Sequence, residues 1–280
     1  MTLARNSYGK ARVRSLRIHR THARQEVRET TAKVMLQGAF EGAFTHADNS
    51  AIIATDSIKN IVQIVAHENQ NAAAEDFAAA IASRLLGRYD HVQQVTVDLR
   101  ETKWTRLVVE GAPHPHSFLL DGNGQGTAAV VATREAVEIR SGVEGFTFMK
   151  STGSGWVGYV RDEYTTLPET TDRVCATSMR AEWLWSTRPA DYPAANARLL
   201  DTMLRVFATT YSDSVQDSLY RMGLAALETV PEVSRIDMTC PNKHYIPLNL
   251  SAFGIKGNDS VLLPTDEPSG EIECSVSRGG

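Results

Sequence analysis

The same succession of periodicities occurs twice along this chain, and that duplication restricts the fold more than any single motif does. Residues 11–20 and 26–40 carry β-branched side chains in partial alternation, the mark of strands. Ile58, Ile61, Val62 and Val65 then stand at i, i+3, i+4 and i+7, while Phe77, Ile81 and Leu85 recur at helical spacing, which predicts two helices within residues 51–89. Val95, Val97 and Leu99 alternate cleanly, and another strand-like run lies near residues 128–133. The order is strand, strand, helix, helix, strand, strand.

The second half repeats it. Residues 137–160 and 172–186 read as long strands. Leu199, Leu200, Met203, Leu204 and Phe207 form an apolar helical stripe, and Val215, Leu219, Met222 and Ala226 form another. Ile236, Met238 and Cys240 alternate, Ile246, Leu248 and Leu250 do so again, and a last strand covers residues 272–276. This predicts an α+β chain of two ββααββ repeats, residues 1–134 and 135–280. A four-stranded antiparallel sheet covered by two helices buries one face and leaves the other face and both edges open. Closing such sheets into a barrel, or pairing them with further copies, removes the exposure, so the pattern itself predicts an oligomer.

Composition narrows the function. At 280 residues the chain has room for two domains of roughly 150. Hydrophobic residues make up 42% and charged residues 22%, which excludes disorder. A formal net charge of -4 gives no footprint for a phosphate backbone, so nucleic acid is not the expected partner. Cys175, Cys240 and Cys274 lie far apart with no CxxC, as in a protein of a reducing cytoplasm. No run reaches the roughly 18 to 20 apolar residues of a membrane span, and the first ten residues lack the apolar core of a signal peptide. The last residues, SVSRGG, are no peroxisomal Ser-Lys-Leu address. A soluble, cytoplasmic protein without membrane contact is expected.

Several local patterns have plain readings. GNGQG at residues 122–126 lacks the glycine spacing of a dinucleotide loop and reads as a mobile hairpin turn. Ser7 and Lys10 match an S-x-x-K, but no KTG follows. His114 with His116, and His19 with His22, are paired imidazoles without a carboxylate or thiol at ligand spacing, so no metal site is expected.

Other patterns stay open between two readings. ATDSIKN at residues 54–60 sets Thr55 and Asp56 at the start of an amphipathic helix, where unpaired amides and the positive dipole end face outward. Thr55 is either an N-cap or a hydroxyl offered, with those amides, to an anionic or carbonyl-rich ligand. PNKHY at residues 241–245 is either a polar hairpin turn or a set of hydrogen-bonding and proton-transferring side chains. Arg173 begins a strand and Gln216 opens a helix, and each fits a solvated surface equally well.

Taken together, these motifs resemble the urate oxidase (uricase) family from end to end. The resemblance rests on Tyr8-Gly9-Lys10 with Val13 and Arg14, ADNS at 47–50, ATDSIKN at 54–60 and PHPHSF at 113–118. The second half adds KSTGS at 150–154, RDEYTTL at 161–167, SVQ at 214–216 and PNKHY at 241–245. The family implies the tunnelling fold, with antiparallel sheets of four copies closing into a barrel, and active sites at subunit interfaces. It implies a urate clamp at Arg173 and Gln216, joined by the Val215 amide, with Thr55 and the Asp56 amide touching the five-membered ring. Lys10, Thr55 and His244 would form a proton relay, Lys10 and Thr55 coming from a neighbouring subunit. Asn242 and Thr55 would hold oxygen, then water, above the ring. No metal or organic cofactor is implied, and the products would be 5-hydroxyisourate and hydrogen peroxide.

Where the family usually stacks a phenylalanine on the purine, this chain has Trp156. A wider ring strengthens stacking or crowds the pocket, and retained but altered activity is expected. The rival readings are a tunnelling-fold oligomer binding another purine or a pterin, and a urate-binding or structural oligomer that has lost catalysis. Arg173 and Gln216 in place of a metal site and an acidic anchor weigh against the first, and intact Lys10, Thr55 and His244 against the second.

Overall fold

A computed structural model describes residues 2–21 and 23–279, so His22 lies outside the described residues. The chain forms two compact units, Met1–Val143 and Glu144–Gly280.

The first unit contains β1 (Tyr8–Thr21), β2 (Arg24–Gly38), the short α1 (Glu41–Thr45), α2 (Thr55–Glu68), α3 (Ala74–Arg88), β3 (Val92–Thr102), β4 (Trp104–Val109), β5 (Ala112–Leu120), β6 (Gln125–Ala132) and the first half of β7 (Val137–Lys150). Its main sheet has the order β1-β2-β3-β6-β7, with β1 at an edge. Period-two alternation turns Ala32, Val34 and Leu36, then Val95, Val97 and Leu99, then Ala128, Val130 and Ala132 toward one buried face. Ile58, Val62 and Val65 of α2 and Phe77, Ile81 and Leu85 of α3 belong to the same core and are fully buried. Each such large side chain contributes about 1.5–3 kcal/mol by leaving water. Helical period on one layer and strand period on the other are therefore satisfied together.

The second unit contains the end of β7, then β8 (Cys175–Trp185), α4 (Tyr192–Thr209), α5 (Val215–Thr229), β9 (Val233–Pro247), a single 3₁₀ turn at Ser251–Phe253 and β10 (Leu262–Ser277). The order is β7-β8-β9-β10, with β10 at an edge. Met179, Trp183, Leu199, Met203, Leu219, Met222, Ile236 and Met238 are among its buried side chains. Both helices begin on side-chain caps: Asp191 accepts from the Ala194 amide and Ser214 from the Asp217 amide.

The two units use the same devices at the same places. After β6, Arg134 donates from Nη1 to the Val92 carbonyl (2.6 Å) and from Nη2 to Leu86, Tyr89 and Asp90 (3.1–3.2 Å), closing the end of α3. After β10, Arg278 donates to the carbonyls of Val233, Leu227 and Val230, closing the end of α5. On the first strand, Arg17 donates to Asn69 and Ala72 carbonyls beyond α2 and lies 4.1 Å over the Phe77 ring. On β7, Lys150 donates to Phe207 and Thr210 carbonyls at the end of α4 and lies 4.9 Å from the Phe207 ring. In each case a cation meets the negative end of a helix.

Two local expectations are corrected, and the open choice at PNKHY is narrowed. The strand expected to run to residue 160 ends at Lys150, and beyond it Gly153 and Gly158 take positive φ of 73° and 72°, away from the extended conformation. PNKHY is not a turn. Residues 241–245 continue β9, paired with β8 through Thr177↔Asn242 and with β10 through Thr265↔His244. Most of GNGQG links β5 to β6, rather than closing a hairpin between main-sheet neighbours, because β4 and β5 pair with each other in a separate two-stranded sheet. No helix among the described residues is long and apolar enough to cross a membrane.

Candidate active site

In the first unit, three motif residues gather where β1 starts and α2 begins. The Tyr8 hydroxyl accepts a hydrogen bond from the Ile53 amide at 2.7 Å, which fastens the strand to the segment entering α2. Gly9 lies so close to β2 that a Cβ there would stand 1.8 Å from the Val34 carbonyl oxygen, so only glycine fits. Lys10 follows, opposite Val34, and the pairing then breaks in a bulge before Val13, with Arg12 at φ 58°.

The choice left open for Thr55 is narrowed by geometry. Ala54 is the N-cap, Thr55 is the first helical residue, and no side chain caps the helix. The Thr55 hydroxyl is therefore not spent on capping, and the first amides of α2 keep their outward-facing donors. The Asp56 carboxylate pairs with Lys59 at 2.5 Å and accepts from Asn60 at 3.0 Å. The Lys59 hydrogen bond and charge hold it below the ordinary aspartate range, and the charge of Lys10 adds a smaller push the same way. With the carboxylate so occupied, the backbone amide is the group Asp56 can present.

In the second unit, Trp156, Arg173 and the start of α5 are laced together by backbone bonds. The Arg173 amide donates to the Ser154 carbonyl at 2.8 Å, Gly155 donates to Ser212 at 2.9 Å, and Ser212 donates to Gly153 at 3.0 Å. Trp156 and Thr170 exchange both amide bonds, at 2.7 and 3.1 Å. Asp172 anchors the turn by accepting from the Thr152 hydroxyl and the Gly153 amide. Two residues past Ser212, the Ser214 cap opens α5 with Val215 and Gln216 as its first residues, and the buried Ser218 hydroxyl bonds back to Ser212. The Arg173 guanidinium carbon lies 5.9 Å from the centre of the Trp156 ring, and its Nε is buried without a hydrogen-bond partner.

Asn242 and His244 lie on β9. Val215 and Cys240 line one small cavity of about 20 Å³, with Thr177, Phe148, Phe207 and Met222. Side chains two apart on a strand share a face, so Asn242 and His244 continue the Cys240 face beyond that cavity. Burial pushes the Cys240 thiol up to about 11, and the Lys150 ammonium is lowered by burial. Elsewhere, His114 and His116 sit edge to face with ring centres 4.6 Å apart on β5. Among the described residues no group of three or more His, Cys, Asp or Glu gathers as a metal site.

Lys10, Thr55 and Asp56 thus belong to one unit, and Trp156, Arg173, Val215, Gln216, Asn242 and His244 to the other. The family model described as Uricase matches residues 6–131 and 139–273, which contain all nine. The chain belongs to the uricase family. The uricase of Aspergillus flavus is 35% identical to it, over 97% of this chain and 95% of that protein. Uricase of Arthrobacter globiformis is 36% identical over 100% of this chain and 91% of that protein. The crystal structure of uricase from Arthrobacter globiformis superposes with a TM-score of 0.94, covering 100% of this chain and 96% of that one. A uricase from Bacillus fastidious superposes at 0.85 with 26% identity, over 98% and 94%. Such agreement fixes the α+β architecture and its antiparallel sheets as those of uricases.

Sequence reasoning missed the supporting residues. Tyr159, Asp172 and Ser212 brace the segment around Trp156 and Arg173 and carried no signal, whereas Tyr8 stood within the YGK motif and Ser214, three residues before Asp217, carried that of a helix cap.

Proposed function

We propose that this chain oxidises urate with molecular oxygen, releasing 5-hydroxyisourate and hydrogen peroxide in purine degradation. Urate, oxygen and one water supply every atom of the two products. The observation that carries the reading is the Arg173 side chain of a uricase-family protein, with a buried, unpartnered Nε beside an aromatic ring. A guanidinium fork and the Gln216 amide match the donors and acceptors along one edge of a flat, acidic purine. The Val215 amide adds a donor from a helix start, and Trp156 supplies the stacking face.

Chemistry begins with removal of a proton from bound urate. A threonine hydroxyl is a poor base, so Thr55 relays the proton to Lys10, with His244 as third member. The resulting dianion is electron-rich enough to pass electrons to oxygen, held with Asn242 above the ring, without a metal or organic cofactor. Water then adds at C5. The protein supplies orientation, stabilisation of negative charge and exclusion of bulk solvent.

In this scheme Lys10 and Thr55 of one copy complete the site of another within a homotetramer, whose sheets close into a barrel through the edges at β1 and β10. The paired devices Arg134 with Arg278 and Arg17 with Lys150 support two tandem repeats, 1–134 and 135–280, behind that barrel. A cytoplasmic site of action completes the proposal.

The test is to follow urate's ultraviolet absorbance and peroxide together, using chelator-treated protein and air-saturated buffer. Loss of urate matched by peroxide is expected. No loss refutes urate oxidation, and activity abolished by the chelator refutes the cofactor-free route.

A further inference from the structure

We infer that Tyr159 is a positioning residue that fixes the plane of the Trp156 indole, and so sets how tightly the heterocycle stacks. The inference rests on the urate reading above. The two rings lie 5.4 Å apart between centres and only 11° from parallel. They stand three residues apart, and Gly158, at φ 72°, makes the bend that brings them face to face. Its amide donates to the Glu169 carboxylate at 2.8 Å, which holds the bend.

Tyr159 is itself fixed at its far end. Its hydroxyl donates to the Leu167 carbonyl, and Arg161 lies 5.8 Å over its ring. Trp156, by contrast, is held through its backbone bonds to Thr170, which leave both side-chain torsions of the indole free. A phenol clamped at its hydroxyl and laid flat against the indole removes that freedom. It also takes one face of the indole, which leaves the other for the purine. A ring already held in its bound orientation gives up less entropy when ligand arrives.

The experiment is anaerobic titration with urate, which allows binding without turnover, joined to aerobic kinetics on the same variants. Trp156→Ala gives the full loss of stacking. Tyr159→Leu is expected to weaken anaerobic urate binding about three- to tenfold, the range of an aromatic pair, and to raise KM with little change in kcat. Tyr159→Phe keeps the stacked ring but loses the hydroxyl tie to Leu167, and its affinity is expected to fall between those of Tyr159→Leu and the unaltered protein. Combined with Trp156→Ala, Tyr159→Leu is expected to cost nothing further. Unchanged binding in Tyr159→Leu, an equal loss in the absence of the indole, or a fall in kcat alone overturns the inference while leaving urate oxidation standing. Absence of binding and turnover in the unaltered protein overturns the urate reading instead.

Discussion

The Tyr8 hydroxyl and the Ile53 amide, 2.7 Å apart, join the strand that carries Lys10 to the helix that begins at Thr55. Ile53 is 6% exposed, so its amide has little access to replacement water. Tyr8→Phe keeps the ring, which packs edge-on against Phe40 with centres 4.8 Å apart, and removes only the acceptor. The expected cost is about 1–2 kcal/mol. Thermal unfolding is expected to shift down by a few degrees. Turnover is expected to fall more than anaerobic urate affinity, since Lys10 and Thr55 lose their mutual placement. An unchanged melting temperature contradicts the tie.

Lys10→Met tests the proton relay. Removing a general base costs about 10²–10⁴-fold in the chemical step. Anaerobic urate affinity is expected to change less than about threefold, because Lys10 is not in the clamp. Equal losses in kcat and affinity would make Lys10 a binding residue.

The repeat order and the amphipathic faces were legible because they depend on local periodicity: Ile58, Val62 and Val65 face the core wherever a 3.6-residue turn puts them. The motif residues were legible through resemblance. What escaped was set by contacts that the alternation of apolar and polar residues does not report. β7 ends at Lys150, and the alternation before that residue carries no trace of the end. PNKHY stayed open between a polar turn and a set of reacting side chains because its residues are polar, yet those residues are strand. The β4–β5 hairpin, the stacking of Tyr159 on Trp156 and the tie from Tyr8 to Ile53 likewise involve partners that no local pattern names.

Trp156→Phe tests the departure at the stacking position. The smaller ring still lies against Tyr159, so turnover is expected to be equal to or higher than that of the unaltered protein. Steady-state kinetics check it. A fall of about tenfold or more would show that the indole makes a contact phenylalanine cannot replace.

Cys240 offers a test by pH. It is 1% exposed, and burial raises its thiol to about 11 from the ordinary 9.0. The unfolded thiol ionises first, so the folded state loses stability through this group as pH rises from 9.0 toward 11. At pH 8 the folded thiolate fraction is about one in a thousand. Iodoacetamide at pH 8, read by peptide mass spectrometry, is expected to leave Cys240 unmodified until the protein is unfolded. Labelling at the rate of an exposed cysteine contradicts this burial.

The central claim is that two half-sites, one from each unit, become whole only between copies. Complementation tests it most directly: Lys10→Met and Arg173→Ala proteins, each inactive alone, are unfolded together, refolded as a mixture and assayed for urate loss. Random assembly pairs an intact Lys10 with an intact Arg173 at about a quarter of the sites, and activity near that fraction of the unaltered protein is predicted. A mixture as inactive as its two components, with assembly intact, would contradict a shared site.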